Sequence, residues 1–389
     1  MQAAWDTHPA LAARRASATG AQHELEGARW QRYPTPTIET GRATDGGVNN
    51  TTLRLDQPLW TGGRISAGIE AAQSRLEAAE ASVGEGHNEM GLQVIAAWAE
   101  AYRQQMRQAH AITGVNEHVK LLKMITRRAD QEVSAPVDRD FAHSRLLQSM
   151  NDLSMVTQSL NIALTKLTQL AGQAVLKVAE SPSAALPKSK EQAIGDAIAY
   201  SPTLKRIGHE EQAAIADVDS KRASLLPQVS FRVERLRAGA TTASAYTDNR
   251  ALLVLTAQPG AGLSAASGVD AAQARKEAIR LSREASVRDV TEQILLDWDD
   301  LEASRQRLAN SQQSRNISLS VFESYTRQYV AGRKSWIDVL NAMRESTQSD
   351  LALADSMAQV AAAGLRLTFR SGRMMQPLSD PTAKDKSPQ

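Results

Sequence analysis

The chain has 389 residues, with 45 Lys and Arg against 43 Asp and Glu, so it lacks the basic excess that nucleic-acid binding requires. Aromatics make up 4% and cysteine is absent, which excludes disulfides, thiolate metal sites and a lipidated N-terminal cysteine. The abundance of Ala, Gln, Ser and Arg suits long helices better than a compact β-rich domain. No run approaches ~18–20 consecutive apolar residues, so no transmembrane helix is expected. The opening MQAAWDTHPAL lacks the charged-then-apolar order of a signal peptide, and the chain reads either as cytosolic or as a mature, processed form.

Taken in order, the elements fall into two similar series. A helix over about 10–32 is ended by Pro34, because the residue before a proline is pushed out of the α region. Two short alternating segments follow, at about 35–43 and 51–59, divided by the polar turn DGGVNN. A very long helix is expected over about 64–130, despite Gly68, Gly84, Gly86, Gly91 and Gly114, each of which costs ~1 kcal/mol against alanine. The turn VSAPVD leads to a last helix over about 137–171. Residues 173–190, with Pro182 and Pro187, read as a linker.

The series then repeats. A helix spans about 202–225, strands are expected at about 228–238 and 249–258 around the turn GATTASAYTDN, and a second long helix covers about 264–330. No proline occurs between Pro259 and Pro377, and Val287, Ile294, Leu301 and Leu308 stand seven apart, the spacing of a coiled-coil seam that Val290 and Trp298 widen. Such a helix would be roughly 100 Å long at ~1.5 Å per residue, and it cannot bury itself alone. The turn VAGRKSWID precedes a helix over about 336–372, and the proline-bearing tail 373–389 is expected to be disordered.

The two series are a duplication, 1–172 and 191–372. Pro9 answers Pro202 and Pro34 answers Pro227, both at a shift of 193. IEAAQSR from Ile69 answers VDAAQAR from Val269, Trp98 answers Trp298, and Val137-Asp138 answers Ile337-Asp338, all at a shift of 200. The change between the two shifts falls where a surface loop absorbs an insertion.

The alternating segments carry the functional question. Val229, Phe231 and Val233 alternate with Ser230, Arg232 and Glu234; Leu53 and Leu55 alternate with Thr52, Arg54 and Asp56; Leu253, Leu255 and Ala257 alternate with Val254, Thr256 and Gln258. In the weakest segment only Ile38 is strongly apolar. Period-2 patterning separates an apolar from a polar face. It fits either two hairpins of a soluble, half-buried sheet or the strands of a transmembrane barrel. The flanking rods leave no globular core for a soluble sheet to cover, which favours the barrel, with Phe231 and Leu253 toward lipid and Tyr33, Trp60 and Tyr246 in the interfacial girdles. Four strands cannot close a barrel alone, and open edges are not tolerated in lipid, so several chains are required; three would supply about 12 strands.

No phosphate-binding loop, H-E-x-x-H helix or G-x-S-x-G elbow is present. His209-Glu210-Glu211 point in different directions on a helix, and His110 and His118 have no carboxylate pair placed beside them. The chain is therefore expected to be neither an enzyme nor a holder of a metal or cofactor. The competing class is a soluble coiled-coil scaffold or periplasmic adaptor, which explains the rods but not period-2 segments at matching places in both repeats.

YPTPTIETG after the first helix, LDQPLWTGGR before the first long helix, YVAGRKSWIDVLNA at the second helical turn and LTQLAG at the end of its counterpart's last helix resemble the TolC family of outer-membrane channel proteins. The resemblance spans about 7–372. It implies a mainly α fold with a small β part: a homotrimer with a twelve-stranded barrel in outer-membrane lipid, a helical tunnel crossing the periplasm, and a periplasmic adaptor and inner-membrane transporter as partners. The helical turns then correspond to tips that bind the adaptor, through Ser134, Ala135 and Pro136 and through Gly332, Arg333, Ser335 and Trp336, with Trp336 as a packing residue or an adaptor anchor. Asp338 matches an acidic position ringing the constriction, and Asn341 stands where a second acid is usual. Tyr329 and Lys334 match residues that latch the closed tip, with Asp138 their expected partner; helix capping is the alternative role of both aspartates. The segment QPGAGLSAASG, 258–268, looks like the branch paired with type I secretion of large proteins; drug and metal efflux are the alternatives.

Overall fold

Two helices of 67 residues, α3 (Arg64–Asp130) and α7 (Ser264–Val330), dominate the computed structural model, which describes residues 1–42, 49–180, 185–239, 246–258 and 264–375. Seam residues Ile294 and Leu301 of α7 are buried, and Val287, Val290, Trp298 and Leu308 are half-buried, so the seven-residue spacing does mark the packed face. The α3 helix runs unbroken through its glycines. At Gly91 the ring of Phe369 lies 2.1 Å from where a β-carbon would stand, so this glycine is the space that lets a phenylalanine pack against the helix backbone.

Around these rods stand α1 (Gln2–Thr7), α2 (Pro9–Trp30), β1 (Thr35–Arg42), β2 (Asn49–Trp60), α4 (Pro136–Ala171), α5 (Lys190–Tyr200), α6 (Pro202–Ala223), β3 (Gln228–Gly239), β4 (Tyr246–Thr256) and α8 (Trp336–Arg370). The α2 and α6 helices are related by the expected shift of 193, and α3 and α7 by 200. Each prolyl helix start is preceded by a short helix that the sequence reading left unassigned, α1 and α5. The signal for α5 was present: the Ser189 hydroxyl accepts the Gln192 N–H, and Ala193 and Ala197, one turn apart, are both fully buried.

One expectation needs correction, at the tail. The tail order extends past 373, because Arg373–Met375 form a 3₁₀ turn and the Arg373 guanidinium pairs with Asp196 at 2.6 Å. Within the linker, Val178 is held by α3: the Gln105 amide both donates to the Val178 carbonyl and accepts the Val178 N–H, each at 3.1 Å. Five stretches on which expectations fell lie outside the described residues: the hairpin turns at 43–48 and 240–245, residues 181–184 of the linker, most of the glycine-bearing segment at 259–263, and 376–389.

The strands form one antiparallel sheet in the order β1-β2-β3-β4, and the β2–β3 ladder joins the two repeats. Its register shifts between Pro58 and Trp60, where proline has no N–H to give the ladder.

The chain divides into two compact units that cut across the duplication. One contains 12–86 and 202–288: the sheet, α2, α6 and the adjoining parts of α3 and α7. Within it Arg206 pairs with Glu85 at 2.8 Å and Arg75 with Asp217 at 2.6 Å, and Gly84 lies against Pro202. The other contains 1–11, 87–201 and 289–389, with apolar clusters around Ala101 and Leu167, around Ile294 and Leu367, and around Trp336 and Ile125.

Candidate functional site

Two places hold the residues that the sequence singled out, the faces of the sheet and the tips of the long helical hairpins. Antiparallel partners share a face, so the register sorts every strand residue. One face presents Ile38, Leu53, Leu55, Phe231, Val233, Leu253 and Leu255, all exposed in the single chain, with Leu253 72% exposed. The opposite face carries charge held in pairs. Arg54 donates to Glu234 at 2.9 Å, Arg232 to Asp56 at 2.6 Å and Arg250 to Asp248 at 2.7 Å. Nothing in the single chain covers the apolar face.

At the first tip α3 ends in a Schellman turn, in which the Val133 N–H reaches the Arg128 carbonyl at 2.9 Å and the Glu132 N–H the Ala129 carbonyl at 3.0 Å. The second tip repeats it: the Arg333 N–H donates to the Gln328 carbonyl at 2.9 Å and the Gly332 N–H to the Tyr329 carbonyl at 3.0 Å. The left-handed position is Gly332 in one, at φ 73°, and Glu132 in the other, at φ 59°. Only the glycine occupies it without a steric cost.

The helix starts differ too. Ser335 caps α8 in a full capping box: its hydroxyl accepts the Asp338 N–H at 3.2 Å, and the Asp338 carboxylate accepts the Ser335 N–H at 3.1 Å. The Ser335 hydroxyl and N–H hold the Asp338 carboxyl below the usual carboxylate range. In α4 the capping position is Ala135, which cannot accept, and Pro136 at the first helical position has no N–H to satisfy.

The expected latch is not formed within the chain. Asp138 has no charged or hydrogen-bonding side-chain partner among the described residues. Lys334 instead stands 3.9 Å from Asp338 and 4.4 Å above the Tyr325 ring. Tyr329 is buried, its hydroxyl 3.3 Å from the Ser134 hydroxyl and its ring 4.7 Å beneath the Arg128 guanidinium. Lys334 is four residues before Asp338, so local geometry joins those two first.

Trp336 is a second correction. It is 5% exposed and packs at 5.4 Å against Tyr329, with Ile125, Val339 and Met343 in the same cluster, so it offers no surface to a partner. The residues that the tips expose include Ala135, Pro136, Val137, Gly332, Arg333 and Ser335. Arg128 and Tyr325, which hold Tyr329 and Lys334, were not foreseen; both pairings arise only where helices meet. Beyond the second tip, Asn341 lies exposed on α8 and lines a groove of about 600 Å³ with Arg145, Asp152 and Arg344. The groove also receives His118, pushed below its ordinary range by burial and then by Arg145, with Asp152 opposing.

A family model described as outer membrane efflux protein matches residues 1–173 and 193–373. The outer membrane efflux protein BepC of Brucella suis biovar 1 (strain 1330) is 23% identical over 344 residues, covering 85% of this chain and 74% of that protein. Among solved structures, CusC aligns with a TM-score of 0.82 at 15% identity, covering 95% of this chain and 90% of the other. The outer membrane protein VceC of Vibrio cholerae aligns with a TM-score of 0.79 at 16% identity, covering 95% and 94%. At such identities the structures establish the fold, which is the one the TolC resemblance implied. The matched family consists of outer-membrane channels, not enzymes, and implies an outer-membrane location. With both repeats matched almost end to end, the chain belongs to the outer membrane efflux protein family.

Proposed function

We propose that three copies of this chain form a channel-tunnel through which substrate leaves the cell without chemistry. One observation carries the reading: a four-stranded sheet with bare apolar side chains on one face, paired charges on the other, and two open edges at β1 and β4. In lipid both edges must be paired, and sister chains are the partners that supply matching strands. Asp338 and Asn341 then face the constriction, and Asp138, Tyr329 and Lys334 belong to the tip that closes it. Ser134, Ala135, Pro136, Gly332, Arg333 and Ser335 are the surface offered to a periplasmic adaptor, behind which stands an inner-membrane transporter. Detergent-extracted protein is expected to have the mass of three chains and to open conducting pores in a planar bilayer. A single copy remaining in the aqueous fraction would end this reading.

Efflux is the broader reading of cargo, supported by the likeness to the outer membrane efflux protein BepC. Type I secretion of a large protein is the narrower one, favoured by the form of the 258–268 segment. A crosslinker placed at exposed Arg333 separates them by the class of inner-membrane partner it captures.

A further inference from the structure

Of the six arginines in the described strands, Arg42 closes β1, and the other five, at 54, 232, 235, 237 and 250, are sorted by face. Arg54, Arg232 and Arg250, on the polar face, each hold a carboxylate. Arg235 and Arg237 stand on the apolar face, exposed and without a hydrogen-bonding or charged partner among the described residues. Their cross-strand neighbours are Leu53 and Asn249 for Arg235, and Thr51 and Thr247 for Arg237, all neutral. Every carboxylate of the described strands, Glu39, Asp56, Glu234 and Asp248, falls on the other face by register. Sister copies therefore bring no acid from these strands to that face either.

Position along the strand narrows the ligand. Val229, opposite Trp60, marks the helix end of the apolar face, and Val233 is its last apolar residue on β3. Arg235 and Arg237 come next, toward the hairpin turn. At ~3.4 Å per residue and a tilt near 40°, Arg237 lies roughly 20 Å above Val229, close to the far boundary of an apolar band ~25 Å tall. A guanidinium is costly at the centre of such a band and nearly free at its edge. The two forks are ~7 Å apart along one strand, near enough to hold one phosphate or two neighbouring ones.

We propose that Arg235 and Arg237 form a binding site for phosphate groups of anionic lipid in the leaflet at the hairpin end, which is the outer leaflet of the membrane. The inference rests on the barrel reading above. The paired arginines of the opposite face would hold the wall together, while these two would anchor its rim to lipid headgroups.

The test uses the full chain, purified in detergent and mixed with diphosphorylated lipid A or its dephosphorylated form, with bound lipid counted by native mass spectrometry. Wild type is expected to retain the phosphorylated lipid preferentially. Joint Arg235→Gln and Arg237→Gln is expected to weaken retention about 30-fold, from two headgroup contacts. Joint Arg235→Lys and Arg237→Lys should keep most of the preference, which separates charge from a folding defect. Equal retention of both lipids by wild type, or unchanged retention by the Gln pair, overturns the site while leaving the barrel intact. Protein that never enters detergent micelles or vesicles overturns the barrel and the site with it.

Discussion

At the scale of single residues the two tips show how duplicated segments differ in turn and cap. Position 332 has the glycine that a left-handed turn favours, whereas Glu132 holds the same backbone shape at a steric cost of ~1 kcal/mol or more. Position 335 has a capping serine, whereas Ala135 offers no side-chain acceptor. Ser335→Ala is expected to cost ~1 kcal/mol at the start of α8, read as faster amide exchange over 336–338. The pH dependence has a definite sign. The Asp338 carboxyl is depressed in the folded chain, so its share of the capping box is present above the unfolded value of 3.8 and is lost as pH falls through the lower folded value. Exchange at 336–338 that ignored this acid window would contradict the role assigned to the carboxylate. Capping leaves one carboxylate oxygen free, so the cap and a constriction role are compatible.

At the scale of elements, the long helices depend on small residues where they meet. Gly91 and Phe369 are the sharpest case, because the ring fills the volume a side chain would take. Gly91→Ala must displace Phe369, which is 1% exposed, and is expected to cost ~1–3 kcal/mol by overpacking. Thermal melting of the detergent-solubilised protein measures it, with Gly68→Ala as the comparison, since nothing lies within 4 Å of a β-carbon there. Equal melting of the two variants would mean that Phe369 moves aside freely. In the sequence both glycines read alike, as helix-weakening residues at which neighbouring rods can also approach closely. Nothing local distinguishes them, because Phe369 arrives from a helix 278 positions away.

At the scale of the whole molecule, the sheet decides what the chain can do. Leu253, on the bare face, should tolerate charge poorly: Leu253→Lys is expected to cost ~2–4 kcal/mol if the residue sits near the bilayer midplane, and to lower the fraction assembled in the outer membrane. Full assembly of that variant would assign the face to something other than lipid. Much of this architecture was legible in advance. The shifts of 193 and 200 recur in α2, α6, α3 and α7, and the alternation around Phe231 and Leu253 gave both the strands and their faces. The latch was not legible. Asp138, Tyr329 and Lys334 were grouped by family position, yet within the chain Lys334 turns to its own helix and Tyr329 to Ser134.

The sequence by itself determined the elements, their duplication and the two-sided strands, because periodicity and proline placement act through neighbours along the chain. Tertiary structure alone decided that Trp336 is core and not surface, that Gly91 makes room for a ring, and which arginines hold a carboxylate. The decisive meetings join groups far apart in the chain, Arg232 with Asp56, Arg54 with Glu234, Trp336 with Ile125 and Gly91 with Phe369, and they are set by helix packing and strand register, which no local pattern records.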